Sequence, residues 1–417
     1  LKRTMLEFSD LPYQFIPPKP NNFIIHLGRI VNRFIGLKSK NHRLKEINLD
    51  GLTEFQKIAK EKDARFIILP NHPTHSDPQV ITEVCRRMKK KPSFMAAYDV
   101  FARNKFVSWF MPRIGAFSVD REGSDRKAMK CAAQILEEGQ YPLVIFPEGN
   151  VYFCNDRVSP FAEGAAYIGL RTQHKLGEDA PVYAVPISLK YTFIEDVRES
   201  VISNLDEIAK KFNTSLSSEK PIIEEITRIS ILTLSEFLQK HDYSLPENNI
   251  NVDNLINDAV EQIIIKLEKE IGITVKKEQN LISRIRKIRS KIHSIRIDLE
   301  KQKEHAHAAD LADEAMLALR MLGYSGGYAT NNPSLDRIAE TVARLREDIH
   351  SEGAPPVGQR KVLAKICQPI DLRQYVIPNE KISKDSIIKL TEEFEKSVQG
   401  GINESNTKIH SHGSKVF

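Results

Sequence analysis

The sequence predicts an α/β fold whose mixed, largely parallel sheet is flanked by helices and which carries a large helical insertion or an appended helical domain. Three observations support this prediction. Apolar strand-like segments alternate with amphipathic helical segments between residues 60 and 195, as expected when helices cross between parallel strands. Strand signals almost vanish from 200 to 350, where helical periodicity continues. A strand-like pattern returns near residue 361, in KVLAKICQPIDL.

These changes of pattern divide the chain into four segments. We expect a basic N-terminal segment with an amphipathic helix (1–59) and then an α/β domain (60–195), which 360–376 completes if the last strand joins the same sheet. A helical insertion (196–355) and a C-terminal helix with a disordered tail (377–417) make up the rest. The disorder is expected from about residue 400, where the composition becomes polar.

Within the α/β domain, the strands are short apolar runs and the helices are longer periodic segments. Gly139 provides a stop signal for the helix KAMKCAAQILEEG. The predicted strands cover 64–70, 91–101, 141–149 and 180–191, and the predicted helices cover 78–90, 127–138 and 161–176.

The N-terminal segment contains an amphipathic helix in NNFIIHLGRIVNRFIG, with Asn21 or Asn22 as its cap. Residues 1–60 hold 11 Lys/Arg and 5 Asp/Glu, so the net charge of +6 resides there. This helix either lies in an anionic membrane surface or packs on the domain that follows. Its apolar residues recur on one face, at Phe23, Leu27, Ile30, Val31 and Phe34.

The helical block contains a basic segment, LISRIRKIRSKIHSIRIDL, whose apolar residues alternate in spacings of four and three. That spacing predicts a coiled-coil seam. Three roles are open for this seam, namely packing within the block, formation of a homo-oligomer and contact with anionic lipid. Its short length favours packing within the block. Its residues are Leu281, Ile285, Ile288, Ile292, Ile295 and Leu299.

Composition narrows the functional classes. No apolar run approaches about 18 residues, so no transmembrane helix is expected, and the first residues show no secretory-signal pattern. The four cysteines are widely spaced, which is typical of reduced core thiols. The basic stretches lack a nucleic-acid-binding motif, so nucleic acid is not expected as a partner. We expect a cytoplasmic protein, peripheral on a membrane.

Four short polar segments stand at the ends of predicted strands. Ligands of open α/β sheets bind outside the carboxyl ends of the strands, so these segments are candidates for the functional site. They are NHPTHSDP (71–78), GAFSVDREG (115–123), FPEGN (146–150) and VPISL (185–189).

The first segment pairs a histidine with an aspartate. A turn between His72 and Asp77 allows the carboxylate to accept a hydrogen bond from one ring nitrogen. The other nitrogen can then take a proton from a hydroxyl, with the substrate supplying the nucleophile. The alternatives are a capped turn with a structural histidine, and a metal site formed by His72, His75 and Asp77. The sequence offers no motif that completes such a site, so we expect no metal.

Two further segments carry candidate binding residues. The planar guanidinium of Arg121 suits a phosphate, although a surface salt bridge is the alternative. Glu148 and Gly149 occupy a strand-to-turn corner, where glycine permits a tight turn or the close approach of a ligand. A glutamate in a turn is commonly only solvated, so this pair is weak evidence by itself.

Together, the four segments resemble in order and spacing the four sequence blocks of the glycerolipid acyltransferase superfamily. That superfamily includes glycerol-3-phosphate and lysophosphatidic acid acyltransferases. Its blocks are N-H-x4-D, an arginine after a strand, F-P-E-G, and a proline in an apolar strand. The matching residues here are Asn71, His72 and Asp77, then Arg121, then Phe146 to Gly149, and finally Pro186.

The resemblance implies an O-acyltransferase of phospholipid biosynthesis. His72 would deprotonate an acceptor hydroxyl that attacks the thioester of acyl-CoA or acyl-carrier protein, and Asp77 would orient His72. Arg121 would hold the phosphate of a glycerol phosphate or lysophospholipid. No cofactor is implied beyond the acyl donor as co-substrate. The other residues assigned to substrate binding are Asn71, Glu148 and Gly149.

The third block departs from the family pattern. F-P-E-G usually continues with Thr and Arg, whereas this chain continues as FPEGNVYF, so an arginine is absent from its usual place. Arg126, Arg157 and Lys190 are candidate substitutes. The departure keeps a second function open, that of a catalytically retired acyltransferase scaffold that binds a membrane or a partner protein.

Overall fold

The chain forms two compact units in the computed structural model, which describes residues 13–121, 125–243, 252–273, 281–296, 298, 304–324, 327–350 and 353–417. The first unit comprises the described residues of 1–120, 125–197 and 353–415. The second comprises those of 121–124, 198–352 and 416–417. The predicted α/β pattern and the predicted helical block therefore fall in different units.

The first unit is built on a mixed, largely parallel sheet, which confirms the predicted fold class. The described strands follow the order β1-β7-β6-β2-β5-β3-β4, and β8 pairs with β6. The two antiparallel pairs both involve β6, with β7 and with β8. The strands are β1 (Leu44–Asp50), β2 (Arg65–Pro70), β3 (Ser93–Ala97), β4 (Phe117–Val119), β5 (Leu143–Val144), β6 (Val182–Phe193), β7 (Arg360–Ile366) and β8 (Ile370–Asp371).

Helices cover both faces of this sheet. Strand β2 shows the division, because Ile67 and Leu69 belong to one hydrophobic core while Phe66 and Ile68 belong to the other. Burial of both faces explains why β2 and β6 are nearly continuous apolar runs. The helices of this unit are α1 (Asn22–Val31), α2 (Leu52–Ile58), α3 (Asp77–Arg87), α4 (Tyr98–Ala102), α5 (Lys105–Arg113), α6 (Arg126–Glu138), α7 (Gly164–Leu176) and α14 (Lys384–Lys408).

Strand β6 is the longest strand described and is buried along its whole length. Its parallel pairing with β2 ends where Pro70 meets Ile187, and β6 continues to Phe193. This extension lies beside the chain that leaves the carboxyl end of β2. The backbone groups of this extension can therefore form hydrogen bonds with loops that follow the shorter strands.

Three sequence predictions about the sheet need correction. Strand β1 lies in the segment predicted to precede the domain, and it pairs in parallel with β7. Its sequence, LKEINLD, has mostly exposed or half-buried side chains, so it lacks the apolar run of a central strand. Strand β3 ends at Ala97, where α4 begins and buries Phe101. Strand β5 covers only Leu143–Val144, because the chain leaves the sheet before FPEG.

Helix α1 begins as predicted. Asn21 is its cap, and the side-chain oxygen accepts hydrogen bonds from the backbone N–H groups of Phe23 and Ile24 at 3.0 and 3.1 Å. A π-helical turn over Asn32–Gly36 continues the helix. Within the described part of the chain, no helix combines the length and the apolar composition that a membrane crossing requires.

The second unit is helical in its described residues. Helix α11 packs against α10 and α12, and its seam residues Ile285, Ile288 and Ile292 are buried. The predicted seam therefore packs within this unit, while Leu299 lies outside the described residues. A homo-oligomer through this region stays a prediction. The helices are α8 (Arg198–Lys211), α9 (Ile222–Lys240), α10 (Val252–Glu270), α11 (Leu281–Arg296), α12 (His305–Leu322) and α13 (Leu335–His350).

The carboxyl-terminal helix α14 continues beyond the point where disorder was expected. Gly401 and Ile402 are buried, and a Cβ atom at Gly401 would lie 2.5 Å from Ser188 Oγ and 2.8 Å from Cys367 Sγ. The helix backbone thus lies against β6 and the chain after β7. The prediction of a disordered tail from about 400 is wrong as far as Lys408, since tertiary packing orders a helix of polar composition.

Two adjacent glycines of α14 test this packing. Gly400→Ala adds a Cβ in open space, so it should stabilise the protein by roughly 0.5–1 kcal/mol through helix propensity. Gly401→Ala forces its Cβ into Ser188 and should destabilise the protein by roughly 1–3 kcal/mol. Denaturant unfolding of both variants measures the difference, and equal effects would mean that α14 does not pack closely on the sheet.

Candidate active site

The first predicted segment begins where β2 ends, and Asn71 fixes its position. The Asn71 side-chain amide donates to the Leu189 carbonyl at 3.0 Å, and its oxygen accepts from the Leu189 N–H at 2.7 Å. The side chain therefore extends the β2–β6 ladder by one step after the backbones separate. Asn71 is 1% exposed. This geometry gives it a role in holding the loop, whereas the sequence assigned it to substrate binding.

The structure brings His72 and Asp77 together. The Nδ1 atom of His72 lies 2.7 Å from Asp77 Oδ2. Asp77 opens helix α3, where the helix dipole favours a negative charge. Thr74 spans the turn between them, since its N–H donates to Asp77 Oδ2 at 2.9 Å and its hydroxyl donates to Oδ1 at 3.2 Å. The predicted pair is thus closed by one tight turn.

The two members of the pair differ in their access to solvent. The Asp77 side chain is wholly buried, whereas the His72 side chain is 17% exposed. With Nδ1 donating to the carboxylate, the neutral ring presents Nε2 as an acceptor. In the part of the chain that the structure describes, Nε2 has no protein hydrogen-bond partner. This is the arrangement that a general base requires.

The FPEG segment contacts both the ring and the backbone of His72. The Phe146 ring stacks on the imidazole with centroids 4.3 Å apart and planes inclined by 27°. Glu148 is 4% exposed, and its two oxygens accept the N–H groups of His72 at 2.6 Å and Ser159 at 3.0 Å. Glu148 is therefore not a solvated turn residue. Sequence reasoning did not assign Phe146 to the imidazole, because a ring stack depends on tertiary placement.

The pKa of Glu148 is raised to about 7, chiefly by burial and to a smaller extent by the charge of Asp77, while the hydrogen bonds from His72 and Ser159 oppose the shift. Gly149 follows with φ of +77°, and a Cβ there would meet no atom within 4 Å. The backbone at Gly149 is therefore open on that side. This space is consistent with the predicted approach of a ligand.

A tyrosine that the sequence did not single out completes the pair's surroundings. The Tyr191 hydroxyl donates to Asp77 Oδ1 at 2.6 Å. Tyr191 lies on β6, two residues beyond the VPISL segment. Its position near the end of a strand was the available signal, but a tyrosine in an apolar strand is ordinarily a core residue.

Arg121 follows β4 and groups with the second unit, so its predicted binding of phosphate is not tested by the geometry of the first unit. Of the three candidate substitutes, Lys190 is 3% exposed and forms a buried ion pair with Asp156. Arg126 and Arg157 are exposed.

The alternative metal site receives no support from the geometry of its third member. His75 is exposed, and its ring lies edge-on to Phe153 with centroids 5.6 Å apart. Among the described residues, no group of three His, Cys, Asp or Glu side chains is placed to hold a metal ion.

Comparisons with known proteins agree with the site. A protein-family model described as acyltransferase matches residues 46–190, which include most of β1, the His72–Asp77 pair and most of β6. A 1-acyl-sn-glycerol-3-phosphate acyltransferase from Streptococcus pneumoniae is 29% identical over 130 residues. That alignment covers 31% of this chain and 45% of the relative, so the chain spans less than half the length of the protein it matches. Across residues 46–190, the chain is therefore similar to acyltransferase domains.

Proposed function

We propose that the protein is an O-acyltransferase that moves a fatty acyl group from a thioester donor to a hydroxyl of a glycerol phosphate or lysophospholipid. The observation that carries this proposal is the 2.7 Å contact between His72 Nδ1 and the buried Asp77 carboxylate. The name of the Streptococcus pneumoniae relative supports the class of acceptor. The intact pair disfavours a retired scaffold.

The reaction follows from the state of the His72 ring. Nε2 removes the proton of the acceptor hydroxyl as its oxygen attacks the thioester carbonyl. Asp77 stabilises the imidazolium that forms. The tetrahedral intermediate then expels the donor's thiolate, which takes the proton from Nε2, and an ester remains. The balance requires only the acyl donor, acyl-CoA or acyl-carrier protein, and the acceptor.

Removing the base tests this mechanism. His72→Ala should lower kcat roughly 10²- to 10⁴-fold, because proton transfer in the transition state is lost. The measurement is the transfer of labelled acyl groups from acyl-CoA and acyl-carrier protein to lysophosphatidic acid, glycerol-3-phosphate and uncharged lysolipids. His75→Ala in the same loop is the matched control and should retain activity within a few-fold. Undiminished turnover by His72→Ala would contradict the proposal.

We also propose that the acceptor carries a phosphate that Arg121 binds. This part of the proposal rests on the residue type at position 121 and on the name of the relative. Arg121→Ala should raise the KM for phosphate-bearing acceptors roughly tenfold or more, because charged hydrogen bonds contribute about 1.5–3 kcal/mol. The KM for uncharged lysolipids should stay the same. Lys130→Ala removes an exposed cation from α6 and serves as the control. An equal loss with both acceptor classes would exclude Arg121 as a phosphate ligand.

We further propose that the first unit binds an anionic membrane surface through helices α1 and α5. Phe23 and Phe106, one from each helix, are 74% and 66% exposed. The helices are neighbours, because the Asn21 N–H donates to the Arg113 carbonyl at 2.9 Å and Gly28 faces the Phe110 ring. The exposed apolar residues of this lipid-binding face are Phe23, Leu27, Ile30, Val31, Phe34, Ile35, Phe106 and Trp109.

The charge around this face suits anionic lipid. The Arg113 guanidinium lies 4.4 Å from the Trp109 ring centroid, and Arg33 lies 5.4 Å from that of Phe34. Cations beside exposed aromatic rings match the boundary between head groups and acyl chains. The net charge of +6 within residues 1–60 adds attraction over a longer range. Such a surface brings the site to its lipid acceptor.

Trp109 is the one tryptophan of the chain, so its fluorescence reports directly on this face. Vesicles rich in phosphatidylglycerol should shift its emission to the blue, and salt should weaken the effect. Phe106→Ser should weaken vesicle binding roughly tenfold, as expected for one apolar side chain withdrawn from lipid. Ile377→Ser removes another exposed apolar residue of the unit and should have no effect. Unchanged vesicle binding by Phe106→Ser would rule out this face as the membrane-binding surface.

A further inference from the structure

The carboxylate of Asp77 accepts four hydrogen bonds, two at each oxygen. Oδ2 accepts from His72 Nδ1 and from the Thr74 N–H. Oδ1 accepts from the Thr74 hydroxyl at 3.2 Å and from the Tyr191 hydroxyl at 2.6 Å. The tyrosine therefore makes the shorter contact on the oxygen that does not face His72. It is also the donor that comes from outside the 71–77 turn.

Tyr191 is held in place along its backbone. The Asn155 side chain accepts from the Tyr191 N–H at 2.8 Å and donates to its carbonyl at 2.7 Å. Asn155 is 0% exposed and repeats the pairing that Asn71 makes with Leu189. Burial and the charge of Asp77 raise the pKa of Tyr191 well above its usual value, so the phenol keeps its proton and remains a donor.

Arg360 on β7 connects Tyr191 to the turn. Its guanidinium lies 4.9 Å from the Tyr191 ring centroid. Its Nη2 donates to Ser76 Oγ and to the His42 carbonyl, both at 2.8 Å. Ser76 directly precedes Asp77 and also lies 3.0 Å from His42 Nδ1 through its hydroxyl. The ring and the residue beside Asp77 therefore share one buried cation.

We infer that Tyr191 is a positioning residue for acyl transfer, which fixes the Asp77 carboxylate so that Oδ2 stays on His72, with Arg360 holding Tyr191 in turn. This inference rests on the proposed function of His72 as the base. Without the phenol, Oδ1 keeps only the longer contact from Thr74, and the carboxylate can rotate away from the imidazole. A buried carboxylate that loses a donor also becomes more costly to keep ionised.

Both residues lie outside the sequence blocks. The family model matches residues 46–190, so Tyr191 follows its last residue and Arg360 stands far along the chain. Sheet pairing brings them together, since Tyr191 is two residues from Phe193, whose partner on β7 is Arg360. The pair is thus a feature of this chain's structure that the family match does not include.

Tyr191→Phe tests the inference, because it removes one hydroxyl and preserves the ring. We expect kcat to fall roughly tenfold or more through misplacement of the base, with unchanged KM for donor and acceptor. Tyr183→Phe is the matched control on the same strand, where the hydroxyl donates to Glu61 instead. Its kcat should remain within a few-fold of the unmodified protein.

A proton NMR signal separates positioning from a merely structural effect. The ring N–H of His72 that donates to Asp77 should give a strongly deshielded resonance, absent in His72→Ala. In Tyr191→Phe we expect it to broaden through faster exchange with solvent, while Tyr183→Phe leaves it unchanged. A resonance of unaltered position and width in folded Tyr191→Phe would overturn the inference, as would an unchanged kcat.

A second variant tests the same contact, and the NMR signal can be read without acyl-transfer activity. Arg360→Lys preserves the charge while withdrawing the planar contact to Tyr191, and we expect it to broaden the same resonance. This variant takes the place of Tyr191→Phe as the test if Tyr191→Phe does not fold. A sharp resonance in folded Arg360→Lys would then count against the inference. If the unmodified protein transfers no acyl group, the proposed function fails, whereas the NMR comparison still decides whether Tyr191 orders the His72–Asp77 pair.

Discussion

The buried charge of Asp77 is the constraint on which the rest of the site depends. An ionised carboxylate without access to water is costly unless donors replace its hydration. Here the turn supplies three donors from His72 and Thr74, and strand β6 supplies Tyr191. The His72 side chain, by contrast, is partly exposed. One buried anion therefore favours the tautomer of His72 that carries the proton on Nδ1 and holds the ring in its orientation.

Strand β6 provides the surface on which these groups are ordered. Asn71 and Asn155 lie in two different loops, yet the side chain of each forms hydrogen bonds with both the N–H and the carbonyl of one β6 residue. These side chains continue the ladder where the neighbouring strands have stopped, so the buried β6 backbone remains satisfied. The strand that follows the helical block, β7, then pairs with β6 and brings Arg360 to the site. The strand after the helical block therefore contributes a contact to the 71–77 turn.

The sequence was sufficient for the features that depend on local spacing. The five-residue interval between His72 and Asp77, the apolar runs of β2 and β6 and the cap of α1 all follow from short-range chemistry. Strand β1 was missed because LKEINLD lies at the sheet edge, where few side chains are buried. The tail beyond residue 400 was misjudged because its order comes from packing at Gly401. The contact of Tyr191 with Asp77 was missed because the two residues are 114 positions apart in the chain.

The unusual continuation of the third block has a structural counterpart in α14. The Gln399 side chain accepts from the Val158 N–H and donates to the Asp156 carbonyl, both at 3.0 Å. Glu395 accepts from the Phe161 N–H at 3.1 Å. The loop after Gly149 is therefore shaped by a helix that lies outside the family match. Because the ion pair with Asp156 occupies Lys190, that lysine adds little net positive charge for an acceptor phosphate. Under the proposed function, Lys190 is therefore a poor substitute for the arginine that the third block lacks.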